Sequence, residues 1–122
     1  MILYSYVMQI IFDEKLVPEL RARYIVLELD TVIQPKMDNP ITLYALVEGM
    51  NINIIMNLPD LYAQHEAMIY AYKNNAWDEA ITNAQALKGS WNSELDEFYD
   101  LVLDTCKEFQ STNTVWNGIR MT

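Results

Sequence analysis

The sequence predicts an α+β fold in which a small antiparallel sheet from the first half of the chain packs with three C-terminal helices. In the segments 24–33 and 41–48, apolar residues recur at every second position, which is typical of half-buried strands. From Pro59 onward the apolar spacing changes to three and four residues, which is typical of helices. A chain of 122 residues is the length of one domain, so we expect residues 1–122 to form a single domain.

The predicted sheet begins with the two strands at 24–33 and 41–48. β-Branched residues dominate the first strand, and the segment 34–40 that follows it carries two prolines and a turn-prone Asp-Asn pair. A second turn at 49–51 precedes a candidate third strand at 52–56. Two or three such strands would form an antiparallel meander.

Residues 1–23 leave two structures open. Helical spacing collects the polar residues Ser5, Gln9 and Asp13 into one stripe, whereas strand spacing collects Tyr4, Tyr6, Met8, Ile10 and Phe12 on one face. We expect a helix over 1–16, with a strand as the alternative. Pro18 would end that helix or begin a short one that continues to Arg23.

Three helices are predicted at about 60–74, 77–88 and 93–110. Asp60 and Ser93 are suitable N-caps for the first and third helices, because a short polar side chain can accept from an unpaired backbone N–H. The second helix has two acidic residues in its first turn, where they complement the helix dipole.

Composition and charge disfavour several functional classes. Acidic residues outnumber basic ones 17 to 8, for a net charge of −9, so direct binding to nucleic acid or to an anionic membrane is not expected. One cysteine cannot form an intramolecular disulfide, and no apolar run reaches membrane-spanning length, which favours a cytoplasmic protein. No glycine-rich phosphate loop or nucleophile elbow is present, and we expect no cofactor.

Few residues suggest catalysis. His65 is the only histidine, and a zinc site needs three or four ligands, so we expect no metal site. Cys106 lies on an apolar helical stripe among acidic residues, which oppose a thiolate. We therefore expect both residues to be structural and name no catalytic residue. The alternative is a small enzyme that uses Glu28, Asp30 and His65 as acid and base.

Acidic residues form a ridge on the third predicted helix. Asp96, Asp100, Asp104 and Glu108 recur every four residues and therefore share one helical face. Such a ridge is either a solvated surface or a docking site for a basic partner. Trp116 lies in a tail after a polar loop and either folds back as an anchor or reaches a partner. These five residues are the candidate protein-binding site.

The segment 71–81 runs from an Ala-Tyr pair through Asn-Asn to Trp-Asp-Glu-Ala-Ile. This pattern resembles the core of a tetratricopeptide repeat. Trp77 takes the aromatic place, and Ala80 takes the small-residue place that lets two helices approach closely. Asn75 and Ala84 depart from the family pattern, and about three repeats are needed for a stable stack. The resemblance implies a tight antiparallel helical pair, but a peptide-binding groove does not follow from a single unit.

Two wider resemblances rest on residue order. One is carried by His65, Tyr72, Trp77, Ala80, Tyr99, Phe109 and the final Trp116-Asn117-Gly118-Ile119. Residues 65–119 are similar in this order to the accessory helical tail after some class III nucleotide cyclase domains, and cyclase activity does not follow. The whole arrangement, including Pro18-Glu19-Leu20-Arg21 and the strand residues 26–31, resembles small acidic proteins of unassigned function in tailed phages. This second resemblance implies a phage protein in the host cytoplasm.

These observations predict a non-enzymatic protein-binding protein. It would act as an inhibitor or adaptor of a host or phage protein that has a basic surface, through an acidic surface rich in aromatic residues. The alternatives are a structural component of a phage particle, a homo-oligomer, or the small carboxylate-dependent enzyme described above.

Overall fold

The computed structural model describes residues 9–11, 13–47 and 52–121, which form a mixed α/β structure. Its strands and helices are, in chain order, β1 Gln9–Ile11, α1 Val17–Arg21, β2 Ile25–Ile33, β3 Ile41–Val47, α2 Ile52–Lys73, α3 Trp77–Leu87, α4 Asp96–Thr112 and β4 Ile119–Met121. Short 3₁₀ turns occur at Glu14–Leu16 and Trp91–Ser93. No helix in the described ranges is both long enough and apolar enough to cross a bilayer.

The four strands form one sheet in the order β1-β3-β2-β4. β1 and β2 both pair antiparallel with β3, so that Ile10 and Leu27 lie on either side of Ala45. β4 pairs in parallel with β2, and Ile119 lies beside Thr31. The sheet is therefore mixed: the expected antiparallel pair of 24–33 with 41–48 is present as β2 and β3, whereas β1 and the parallel strand β4 were not part of the expected meander.

The segment 52–56 is helical and is not a third strand; it forms the start of α2. Its consecutive apolar residues fit both strand spacing and helical spacing, so tertiary packing determines which structure forms. Ile54 is buried in the core, whereas Ile55 and Met56 are exposed, as helical spacing requires. Pro59 lies inside α2 rather than before it, although a proline removes one helical hydrogen bond. Asp60 is therefore not an N-cap.

Two further features differ from the favoured interpretation of the sequence. The described part of the N-terminal segment, Gln9–Ile11, is a strand rather than a helix, because it pairs with β3 and buries Ile11; residues 1–8 and 12 lie outside the described ranges. Ser93 does not cap the last helix. It ends a turn in which Trp91, Asn92 and Ser93 all have positive φ, so α4 begins only at Asp96.

The main core lies between the sheet and the three long helices. Its largest buried side chains come from every layer: Leu27, Leu29, Met68, Tyr72, Leu87, Trp91, Leu95, Phe98 and Tyr99. On the other face of the sheet, α1 covers a smaller cluster formed by Ile11, Val17, Val26 and Leu46. β2 contributes to both clusters, which fixes its position relative to α1 and α2.

Candidate functional site

His65 lies on α2 and connects β2 to α4 through buried hydrogen bonds. Its Nε2 is 2.7 Å from the carbonyl oxygen of Glu28, which can only accept, so Nε2 carries the proton. Nδ1 accepts from the hydroxyl of Tyr99 at 2.9 Å, and that hydroxyl accepts from the indole N–H of Trp91 at 2.9 Å. Both ring nitrogens are therefore occupied.

Burial determines the protonation states of His65 and Tyr99. Loss of solvation lowers the pKa of His65 to about 4, against a weaker opposing effect of the Glu28 carbonyl and carboxylate. Burial also raises the pKa of the Tyr99 hydroxyl above its ordinary value. At neutral pH the ring is neutral and the phenol keeps its proton, so the arrangement is a structural cross-link.

A second buried network surrounds Asp30, whose side chain is fully buried on β2. The Tyr72 hydroxyl donates to Asp30 Oδ1 at 2.5 Å, and Arg120 Nε donates to Oδ2 at 2.9 Å. Arg120 also donates to the hydroxyls of Tyr72 and Thr105 at 2.7 and 2.8 Å. Burial alone would lower the pKa of Arg120, but Asp30 and Tyr72 raise it above its ordinary value. β4 is thus fixed to the core through one charged side chain.

The three residues of the enzyme alternative do not converge on one site. Glu28 and His65 line the same cleft, but the Glu28 carboxylate forms an ion pair with Lys73 at 2.7 Å. Lys73 Nζ also donates to Thr31 at 2.8 Å. Asp30 belongs to the separate network around Arg120 and does not line that cleft.

The cleft follows a part of the β2 edge that has no strand partner among the described residues. β4 covers only the last three residues of β2, so the edge at Val26 and Glu28 faces α2 across a cavity of about 350 Å³. The Val26 N–H donates to the hydroxyl of Tyr62 at 3.1 Å, and the Glu28 carbonyl accepts from His65. Side chains of α2 therefore cap backbone groups that could otherwise pair with another strand.

The predicted acidic ridge divides into two parts. Asp96 accepts from the backbone N–H of Gly89 at 2.8 Å, and Asp100 forms an ion pair with Lys88 at 2.6 Å. The hydrogen bond that Lys88 donates to Asp100 raises the pKa of Lys88. Asp104 and Glu108 are exposed, and neither carboxylate has an ion-pair partner in the described ranges.

Trp116 folds back onto the helices, which is one of the two alternatives that the sequence left open. Its ring stacks on Phe109 with centroids 5.6 Å apart and lies 4.9 Å from the ring of Tyr72. The Asn75 side chain makes two 2.8 Å hydrogen bonds to the backbone of Trp116. The ring is half-buried and anchors the segment that leads to β4. Its role in partner binding stays a prediction.

Cys106 is buried, and loss of solvation raises the pKa of its thiol to about 12, so it is not a thiolate at neutral pH. Across residues 9–11, 13–47 and 52–121, no group of three or more His, Cys, Asp or Glu side chains is placed to hold a metal ion.

Sequence reasoning missed Arg120, Lys73 and Tyr72 as partners of charged strand residues. One signal pointed to them, because Asp30 interrupts a run of buried apolar residues on β2 and a buried carboxylate requires a charged or hydrogen-bonding partner. That signal indicates that Asp30 needs a partner, but it does not identify Arg120, which lies 90 positions away in the sequence.

Comparison with protein-family models, with curated proteins and with solved structures found no match for this chain. The tetratricopeptide-like, cyclase-tail and phage-like resemblances stay predictions.

Proposed function

We propose that this chain is a non-enzymatic protein-binding protein that docks a basic surface of its partner on the acidic face of α4. The acidic face consists of Glu97, Asp100, Asp104 and Glu108. The proposal depends on one observation: Glu97, Asp104 and Glu108 are exposed, and within the described ranges none of their carboxylates is part of an ion pair. The partner's basic groups would supply the missing counter-charges.

The helix that carries these carboxylates is rigidly held. The opposite side of α4 is buried through Phe98, Tyr99, Val102 and Cys106, so the acidic face cannot rotate away from solvent. Carboxylates four residues apart are neighbours on a helix and repel each other. A bound cation relieves this repulsion, and a net charge of −9 also speeds the encounter with a basic protein.

The state of the buried titratable groups supports the non-enzymatic part of the proposal. His65 is neutral with both nitrogens bonded, and Asp30 is held by Arg120 and Tyr72. Neither could transfer a proton without breaking the network that holds the sheet to the helices. The tight pairing of α2 with α3 around Ala80 supports a tetratricopeptide-like hairpin as the scaffold. A tailed-phage origin and a role as inhibitor or adaptor in the host cytoplasm complete the proposal.

A matched pair of variants tests the acidic face. Asp104→Asn with Glu108→Gln removes two charges from it, and Glu14→Gln with Glu19→Gln removes two exposed charges from the α1 region. Binding to a fluorescent lysine- and arginine-rich peptide would be followed by anisotropy at low and moderate ionic strength. We expect the first variant to weaken binding by about twofold to thirtyfold, the range for two exposed ion pairs, with a shallower salt dependence.

The second variant has the same net charge and is expected to bind nearly as the native protein does. Equal weakening by both variants would mean that the peptide senses only total charge. That result would contradict docking on the acidic face.

Self-association is the second candidate, and an apolar stripe at the start of α2 favours it. Ile52, Ile55 and Met56 are 70%, 55% and 74% exposed and lie three and four residues apart on one helical face. Neighbouring exposed apolar side chains of this kind are often contact sites. Sedimentation equilibrium of the native chain and of Ile55→Gln would test it: a dimer that the substitution dissociates supports self-association, and a monomeric native chain excludes it.

A further inference from the structure

A second surface of the molecule carries the opposite charge. Two clefts lie along α2: one of about 350 Å³ is bounded by β2 from Val26 to Glu28, and one of about 540 Å³ is bounded by residues 22–25, where α1 leads into β2. Arg21 and Tyr62 line both of them, so the two clefts adjoin at these side chains and together form one groove along α2. We call this the arginine groove. Along α2 its lining extends from Leu58 to Asn74, which is about 24 Å at 1.5 Å per residue.

The groove carries two arginines without counter-charges. Arg21 and Arg23 are exposed, and in the described ranges neither guanidinium group is part of an ion pair or a side-chain hydrogen bond. The third cation of the groove, Lys73, is already neutralised by Glu28. Glu66 is then the remaining acid in the groove, so the local charge is positive in a chain whose net charge is −9.

Tyr62 adds a hydrogen-bond donor to this site. Its oxygen accepts from the Val26 N–H at 3.1 Å, and its own proton has no acceptor among the described residues. Tyr62 and Arg21 line the same two clefts, and while burial raises the pKa of the Tyr62 hydroxyl, the charge of Arg21 opposes that shift. A carboxylate placed between them would accept from the arginine fork and from the phenol.

The backbone that carries the two groove arginines is held in place by hydrogen bonds and by packing. The Leu20 carbonyl accepts from the backbone N–H groups of Arg23 and Tyr24 at 3.0 and 2.8 Å, which closes the turn after α1. Val17 anchors α1 in the smaller cluster beneath the sheet. Because this backbone is already ordered, the conformational entropy cost of binding falls mainly on the exposed Arg21 and Arg23 side chains.

We propose that the arginine groove binds an acidic peptide in an extended conformation. One carboxylate of the peptide lies on Arg21 and Tyr62, and a second faces Arg23. The length of the groove matches about seven residues at about 3.3 Å per residue, which is too long for a single small anion. Tyr24 and Tyr70, 44% and 72% exposed, offer ring surface for apolar side chains between the acids.

A peptide fits this groove better than a nucleic acid does. Glu66 lies in the groove and would repel a continuous chain of phosphates, whereas a peptide can place an apolar residue beside it. This proposal is independent of docking on the acidic face of α4, since the two surfaces share no residue and select partners of opposite charge.

The test uses a fluorescein-labelled synthetic peptide of alternating Glu and Val, and the same peptide with Gln in place of Glu. Titrations would compare the native chain with Arg21→Gln, Glu66→Gln and, as a control for total charge, Lys36→Gln, which changes an exposed lysine outside the groove. All three positions are exposed, and unfolding curves of each variant confirm that it is folded.

We expect Arg21→Gln to weaken binding of the acidic peptide at least about fivefold, as for loss of a charge-assisted hydrogen bond. Glu66→Gln should tighten binding by about twofold, a gain that a merely damaged fold does not produce. Lys36→Gln should leave binding nearly unchanged. Equal binding of the Gln peptide, or equal effects of Arg21→Gln and Lys36→Gln, would overturn the proposal. Tighter binding of inorganic phosphate or of an oligonucleotide than of the acidic peptide would also overturn it.

Discussion

Replacement of His65 by Gln should remove a large part of the acid sensitivity of the fold near neutral pH. In the folded chain burial lowers the pKa of His65 to about 4, from an ordinary value of 6.5. Between these two values the unfolded chain binds a proton that the folded chain excludes. The contribution of His65 to stability is therefore complete above pH 6.5 and is lost as the pH falls towards 4.

The size of the effect follows from the two pKa values. A shift of one pKa unit corresponds to about 1.4 kcal/mol, so a folded-state pKa of about 4 makes the full loss about 3 kcal/mol at pH 4. Most of that loss, about 2 kcal/mol, occurs by pH 5, above the range in which ordinary carboxylates titrate. It is a substantial part of the stability of a domain of this size.

Urea unfolding of the native chain and of His65→Gln at pH 7, 6 and 5 would measure the effect. The glutamine amide can still donate to the Glu28 carbonyl, which now accepts from His65 at 2.7 Å, but it does not titrate. The variant should be less stable at pH 7 because the ring packing is lost, and its stability should change less between pH 7 and 5. A parallel loss of stability in both proteins would refute a buried neutral His65.

Three further predictions concern the remaining buried and anchoring groups. Arg120→Met should lower the free energy of unfolding, measured by urea unfolding, by roughly 3–5 kcal/mol, because it removes the cation that pairs with the buried Asp30 carboxylate. Adding Asp30→Asn to that variant should recover part of the loss, and no recovery would show that the defect has another cause. Cys106, with a pKa of about 12, should react with a thiol reagent only as fast as the protein unfolds. Mass spectrometry can follow the labelling, and rapid labelling in native buffer would contradict the burial of the thiol. Asn75→Gly should increase the rate of amide hydrogen exchange in the C-terminal segment, because the two hydrogen bonds from the Asn75 side chain to the Trp116 backbone are lost. Asn113→Gly, at a similar positive φ, should not increase this rate. Equal exchange rates in the two variants would show that these hydrogen bonds do not hold the segment.

Local pattern was sufficient to locate the two long strands. Apolar alternation and the proline-rich loop placed them at 24–33 and 41–48, and the structure has strands at Ile25–Ile33 and Ile41–Val47. At 52–56 the pattern was ambiguous, because consecutive apolar residues fit a strand and a helix equally well. Ile54 is buried and its neighbours are exposed because of how the helix packs on the rest of the fold, and this packing cannot be read from local residue spacing.

The candidate site divides in the same way. Four-residue spacing located the carboxylates of α4, because a helix face is a property of one segment. The Asp30–Arg120 pair and the arginine groove depend on contacts between segments far apart in sequence. β4 was missed for this reason, since three residues carry little strand signal and β4 pairs with a strand almost 90 positions earlier in the chain.

The uneven distribution of charge has a consequence for partner choice. Lys73, Lys88 and Arg120 are used in ion pairs, whereas the described residues provide no ion-pair partner for Arg21 and Arg23 at the groove. A basic segment is repelled by these arginines and attracted to α4, and an acidic segment experiences the reverse. The two surfaces therefore do not compete for one simple ligand. A single partner that engages both surfaces must itself carry separated patches of opposite charge, and its affinity should then fall with salt more steeply than that of either isolated peptide.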